Sequence, residues 1–279
     1  MIVDSHTHVF PKWIIDNRVQ LFSRDKTLAT MYPTDKHRMC TVDELLSTMD
    51  GSGIDVSVMV GIGWNDLELC RLSNDYVIES VNRFPAKLRG FVSVNPTWGD
   101  IAVAEIKRCV DAGLIGIGEL HPDTQGFALN DSTVMDPIVE IAKDLDIPIL
   151  SHTSEPVGHL YPGKGYTTPD LICGFLSNSP GVKLICAHWG GGLPFYSLMP
   201  EVAQLLKSVF FDTAASPFLY DPAIFSIVTE LIGTDNILMG TDYPLMDQRR
   251  VIHQVTDSQI SDEAKEGILS LNAANLFKI

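Results

Sequence analysis

The sequence has no C-x-x-C pair and no even set of cysteines; its five, Cys40, Cys70, Cys109, Cys173 and Cys186, are widely spaced. That excludes a disulfide framework and fits buried thiols in a reducing compartment, so a cytoplasmic protein is expected. Basic residues are scarce. The 20 Lys and Arg stand against 35 Asp and Glu, a formal charge of −15 that leaves no basic footprint for nucleic acid or an anionic membrane surface. No apolar run approaches the roughly 18 residues of a membrane span, and Met1–His6 lacks the basic start of a signal peptide, so neither spanning nor export is expected. Gly/Ser linkers, charge blocks and low-complexity tracts are also missing, and residues 1–279 read as a single domain.

What is present is an alternation. Short Val- and Ile-rich runs predict strands over Ile2–His6, Val56–Gly61, Gly90–Val94, Ile115–Glu119, Ile147–His152, Val182–His188, Val209–Asp212 and Ile237–Asp242. Helical signals fall between them. Thr41-Val42-Asp43-Glu44 is a capping box, with Gly51 and Gly53 closing the helix; Asp100 is a candidate cap, Asp131 or Ser132 opens another helix, and Ser261 opens the last. Successive strand ends are spaced as single β-loop-α-loop units, except that an excursion at about 10–40 follows the first strand. Eight such units favour an α/β fold of the closed (β/α)8 type over an open doubly wound sheet. The G-x-G-x-x-G turn of a dinucleotide fold is absent, and Gly116 and Gly118 lie inside a strand.

Side chains with metal-ligand chemistry gather at the strand ends. His6 and His8 are two apart on one strand, so period-two alternation sends both to the same side. Glu119, His152, His188 and Asp242 end the fourth, fifth, sixth and eighth strands. In a barrel these ends converge on one mouth, where so many ionisable groups would be costly to gather without a cation. Each residue taken alone has a structural reading. Together they point to a metal site.

Four segments carry a resemblance: Asp4-Ser5-His6-Thr7-His8, Ser151-His152, Ala187-His188-Trp189-Gly190-Gly191 and Gly240-Thr241-Asp242-Tyr243-Pro244. In that order they resemble the amidohydrolase superfamily, and more narrowly the branch that includes aminocarboxymuconate-semialdehyde decarboxylase-like proteins. Asn272-Ala273-Ala274-Asn275-Leu276-Phe277 is similar to the ending seen there. The resemblance implies a distorted TIM barrel, one or two divalent ions and, as a family expectation, a homodimer. It also implies that His6 and His8 bind one ion with His152 or Asp242, and that His188 completes a second site or orients substrate and water. Many relatives in this branch carry Lys-Leu-His-Pro where this chain reads Glu119-Leu120-His121-Pro122. A carboxylate at that position bridges two ions in binuclear members, so Glu119 is a candidate bridge.

Imidazole and carboxylate donors suit Zn²⁺, the expected ion, with Mn²⁺ as the alternative. Such an ion activates water, so the leading expectation is hydrolysis of a small amide, ester or lactone, with Asp242 as general base and His188 assisting. The alternative is a non-hydrolytic decarboxylase or hydratase acting on a small carboxylated substrate, for which Arg18, Arg24 and Arg38 are candidate carboxylate partners. A catalytically silent metal-binding barrel is a third reading. His121, in period with Glu119, and His159 and Lys164 in the loop after the fifth strand are candidate substrate contacts. Trp13, Phe22 and Tyr32 are candidates for a lid or for the core.

Overall fold

The structure, a computed structural model, describes residues Met1 to Ile279. Eight parallel strands appear: β1 (Val3–His8), β2 (Val56–Val60), β3 (Leu88–Gly90), β4 (Ile117–Leu120), β5 (Ile149–Ser151), β6 (Leu184–Cys186), β7 (Val209–Asp212) and β8 (Ile237–Leu238). Seven lie on the Val- and Ile-rich runs, whereas β3 precedes its expected run, Gly90–Val94, and shares only Gly90 with it. They form two arcs, β1-β2-β3 and β4-β5-β6-β7-β8. Single parallel bridges join the arcs at both seams, Val92 to Ile117 and Thr7 to Tyr243. The fold is a distorted α/β barrel in one domain.

The distortion falls where function is expected. The β1–β2 register shifts between Asp4 and Thr7, and the β4–β5 register shifts between Ile117 and Leu120. His6 and Glu119 lie in those two gaps. There β1 turns to its other neighbour, with Ser5 N–H donating to Met239 C=O at 2.8 Å and Asp242 N–H to His6 C=O at 2.9 Å. Such irregularities re-aim a side chain that a regular ladder would send elsewhere.

β5, β6 and β8 stop before the polar residues that close their runs, His152, His188 and Asp242. His188, Trp189 and Asp242 adopt left-handed conformations, with φ of 56°, 58° and 66°. Non-glycine residues rarely occupy that region, and where they do the surroundings usually enforce it at a functional corner.

The helix signals hold in detail. Thr41 and Glu44 form the reciprocal capping box, Gly53 ends that helix with φ 77°, and Asp131 and Ser261 cap theirs by accepting backbone N–H groups. Two assignments are corrected: Gly51 lies inside its helix, Val42–Ser52, which Gly53 alone closes; and Gly99, with φ 54°, takes the cap position, so that Asp100 is the first helical residue, where its charge faces the helix N-terminus.

Apolar packing is layered. An inner cluster joins Val3, Val56, Val58, Val60, Phe91 and Leu238 to Ala273, Leu276 and Phe277 of the C-terminal helix, with Phe277 edge-on to Phe91 at 5.7 Å. A larger cluster lies between strands and outer helices. A third, built on Phe10, Ile14, Leu28, Tyr32 and Trp64, anchors the excursion, which folds into the helices Lys12–Asp16, Arg18–Leu21 and Lys26–Met31. Of the three aromatics singled out there, Tyr32 is buried, Phe22 packs on the cluster's edge, and Trp13 is exposed. The five cysteines are free thiols. No helix is long and apolar enough to cross a membrane.

The corner after β6 tolerates no side chain at Gly191, whose φ is 59° and where a Cβ would collide with the Ser154 carbonyl oxygen. Gly191→Ala is expected to destabilise the fold by about 1–3 kcal/mol, read as a lower urea midpoint at unchanged slope. An unchanged midpoint would show that this corner is not tightly packed.

Candidate metal centre

Glu119 is the centre of the site. It follows Gly118 on β4, and its side chain is almost wholly buried. Its two oxygens face two groups of imidazoles. Oε2 lies 3.6 Å from His6 Nε2 and 3.7 Å from His8 Nε2, while Oε1 lies 3.2 Å from His152 Nδ1 and 3.8 Å from His188 Nε2. Two triads therefore share one carboxylate, His6–His8–Glu119 and Glu119–His152–His188, and within each the candidate donor atoms lie within 4.8 Å of one another. Asp242 approaches from the β8 corner, with Oδ1 3.2 Å from His8 Nε2.

Each imidazole has one nitrogen already committed. His6 Nδ1 lies 2.8 Å from Asp212 Oδ2, His8 Nδ1 is 3.2 Å from Val60 C=O, and His188 Nδ1 is 3.0 Å from Ala214 C=O. His152 is reversed, with Nε2 3.1 Å from Lys164 C=O. A neutral ring that donates from one nitrogen presents a lone pair at the other, so four lone pairs point at Glu119. His6 Nε2 and His8 Nε2 are 3.2 Å apart. Two facing lone pairs at that distance need a positive charge between them, and orienting partners on the remote nitrogen are the usual support of a metal-binding histidine. The residues fit a divalent cation.

The proton equilibria express the same demand. Burial pushes the His6 imidazole down, yet Asp212 and Glu119 hold it well above its ordinary value. Burial pushes Glu119 up, yet His6 and His152 hold it well below the usual carboxylate range. Asp242 is likewise held down, against burial, by its bond to His8 and by the charge of His6. A cation satisfies the attraction that a proton on His6 would otherwise satisfy.

The cleft above the centre has a volume of about 360 Å³. His152, His188 and Asp242 reach it from the barrel, Tyr32, His37 and Arg38 from the excursion, and His159 and Tyr161 from the loop after β5, with Phe218, Leu219 and Leu245 completing the walls. Two sequence-predicted contacts lie elsewhere. Lys164 turns its ammonium into its own loop, donating to Val157 C=O at 2.6 Å and His159 C=O at 3.1 Å. His121 leaves the strand alternation at the start of the short helix Pro122–Gln125 and stacks behind His152, ring centroids 4.3 Å apart. Burial and the neighbouring His152 push its pKa down to about 3, so it stays neutral.

Sequence reasoning misses two carboxylates. Asp212 ends β7, the same strand-end position as the other donors; besides orienting His6 it accepts the N–H groups of His188 and Ala214 at 2.9 and 3.0 Å. Asp4 ties β1 to β8, accepting from the Thr241 backbone at 2.9 Å, the Thr241 hydroxyl at 2.7 Å and Gln248 at 2.9 Å, while burial raises its pKa to about 6.

A model of the amidohydrolase family matches residues 3–279. The γ-resorcylate decarboxylase of Polaromonas sp. is 22% identical over 89% of this chain and 91% of its own length. The 2-amino-3-carboxymuconate-6-semialdehyde decarboxylase of Dictyostelium discoideum is 22% identical over 97% and 90%. The crystal structure of 5-carboxyvanillate decarboxylase from Novosphingobium aromaticivorans, complexed with manganese and 4-hydroxy-3-methoxy-5-nitrobenzoic acid, covers 100% of this chain and 96% of its own at a TM-score of 0.81 and 19% identity. These relatives correct the expectation of hydrolysis, since each is named for decarboxylation and none for hydrolysis. Metal-activated water is common to many barrels with such donors, and the donor set alone does not distinguish the two reactions.

Two substitutions test the centre. Asp212→Asn keeps the shape but removes the acceptor that fixes His6, and should weaken metal affinity by about 10–100-fold in competition with a chelator; unaltered affinity would deny Asp212 that role. Glu119→Gln should lower bound metal by about one equivalent per chain, because both groups of imidazoles use its charge. Unchanged stoichiometry in elemental analysis would count against a shared carboxylate.

Proposed function

The chain belongs to the amidohydrolase family, and from that premise we propose that it is a metal-dependent, non-hydrolytic decarboxylase of a small planar carboxylic acid. The observation that carries the reading is the shared-carboxylate centre opening into a cleft with aromatic walls and one unpaired guanidinium. Arg18 is paired with Asp35, and Arg24 with Asp66 and Glu68, whereas Arg38 lines the cleft without an acidic partner. In a chain of formal charge −15, a free cation at that place suits an anionic substrate.

His6, His8, Glu119, His152, His188 and Asp242 are the residues assigned to the cation. Its contribution when bound is Lewis-acid polarisation of a substrate oxygen, which draws off charge as the carbon–carbon bond weakens. Mn²⁺ is the ion to test first, given the manganese of the Novosphingobium enzyme, with Zn²⁺ second for the same donors.

The chain's own groups do the rest. Arg38 holds an anionic oxygen of the substrate, and Tyr32, Tyr161, Phe218 and Leu245 keep water from the reacting carbon. The bond to the carboxyl carbon breaks with its electron pair left on the substrate, CO₂ departs, and that pair takes a proton. Asp242 is the proton carrier, because it is the carboxyl group of the centre that lines the cleft. Held ionised at rest, it takes up a proton from the substrate or solvent and releases it to the carbon. His188, fixed by Ala214 C=O, lines the cleft beside it and presents Nε2 to the centre.

Manganese-loaded protein is expected to release CO₂ from members of a panel of hydroxybenzoic and unsaturated dicarboxylic acids in D₂O, leaving one deuterium on the vacated carbon. Chelation should abolish turnover, and Asp242→Asn should reduce kcat by about 10²–10⁴-fold. Release of an acid or alcohol carrying ¹⁸O from labelled water, without CO₂, would overturn the reading.

A further inference from the structure

Two imidazoles deliver N–H groups to consecutive carbonyls of one loop. His152 Nε2 donates to Lys164 C=O at 3.1 Å, and His121 Nε2 to Gly163 C=O at 3.0 Å. The rings are stacked nearly parallel, 10° apart in plane with centroids at 4.3 Å. The loop is also tied to itself, since the Ser154 hydroxyl donates to Lys164 C=O and the Lys164 ammonium holds Val157 and His159. At Gly163, with φ 82°, the chain presses so close to the excursion that a Cβ would run into the Met31 sulfur.

This loop is a partition. Tyr161, Pro162 and Gly163 line the 360 Å³ cleft on one side and a second cavity of about 680 Å³ on the other. The second cavity, not the cleft, is lined by His121. The His121 Nδ1 atom is buried and has no hydrogen-bond partner. A neutral imidazole carries one proton, and on Nε2 that proton has an acceptor while on Nδ1 it has none, so the tautomer that donates to Gly163 is the one the surroundings select.

We propose that His121 is a positioning residue for substrate: its bond to Gly163 fixes the wall Tyr161–Gly163, and its stack on His152 holds that wall in register with the metal centre. The proposal rests on the reading of the cleft as the substrate site. It gives His121 a task that neither a substrate contact nor simple packing would. A change in cleft width therefore requires the loop to leave both imidazoles, breaking both of these hydrogen bonds.

The test uses hydrogen exchange, kinetics and histidine NMR on metal-loaded protein. His121→Phe retains a ring for the stack but has no N–H; amides of residues 155–166 should exchange about tenfold faster and KM rise about tenfold, the size of one lost hydrogen bond, while kcat stays within about twofold and metal content is unchanged. His121→Gln restores a donor and should recover most of the protection. Wild-type rates in the loop together with a wild-type KM for His121→Phe would overturn the proposal. The wild-type protein supplies a check that does not depend on the variants folding. In the ¹⁵N-histidine spectrum of the zinc-loaded enzyme, His121 should be the Nε2–H tautomer with a slowly exchanging proton, and an Nδ1–H tautomer would overturn the proposal. Loop exchange and tautomer are read without substrate, so they stand or fall separately from decarboxylation.

Discussion

A single buried carboxylate organises this molecule. Glu119 lies in a medium where a lone negative charge is expensive, and four imidazole lone pairs face it, which would be equally unfavourable without positive charge among them. The arrangement is stable only as a unit. Carboxylate, imidazoles and a cation or proton compensate one another, and removing any one leaves the others unpaired. The ladder defects at His6 and Glu119 follow from this constraint, because a regular barrel would not direct those side chains to a common point.

The layer behind the ligands does as much as the ligands. Asp212 serves both sides of the centre, orienting His6 through its ring and the His188 corner through its backbone. Carbonyls of Val60, Ala214 and Lys164 set the other tautomers. Backbone carbonyls cannot be altered by substitution, so much of the site's geometry is held by the main chain and is insensitive to the side chains that surround it. Further out, the excursion and the loop after β5 supply cleft walls, through Tyr32, His37 and Arg38 and through His159 and Tyr161.

The sequence made the barrel legible because apolar runs of strand length recur at the spacing of βα units, and Val209–Asp212 matches its strand to the residue. It made the metal centre legible because His6, Glu119, His152, His188 and Asp242 each end a strand run, and His8 lies two residues beyond the first. What it did not disclose depends on geometry without a periodic signature. Left-handed turns follow β6 at His188 and β8 at Asp242, and no alternation rule anticipates them. His121 shares the parity of Glu119, yet the chain has already entered a helix there, so parity no longer sets its direction. Lys164 has the charge for a substrate contact, but its loop offers carbonyls nearer than the cleft. Reaction type was also hidden, since water activation and polarisation of a carboxylated substrate draw on the same donors.

The seam between β1 and β8 has a consequence for how the molecule comes into being. Asp4 and Thr241 are hydrogen-bonded across 237 positions of sequence, and the Asp242 N–H donates to His6 C=O at the same place. During synthesis β1 therefore emerges with one flank lacking its neighbour and stays so until β8 and the corner that follows it have left the ribosome. A chain assembled in that order has an exposed edge for most of its elongation, of the kind that recruits chaperones or pairs wrongly with a neighbouring nascent chain. The centre is complete only once the corner after β8 brings Asp242 to β1, β4 and the end of β5, which carry His6, His8, Glu119 and His152.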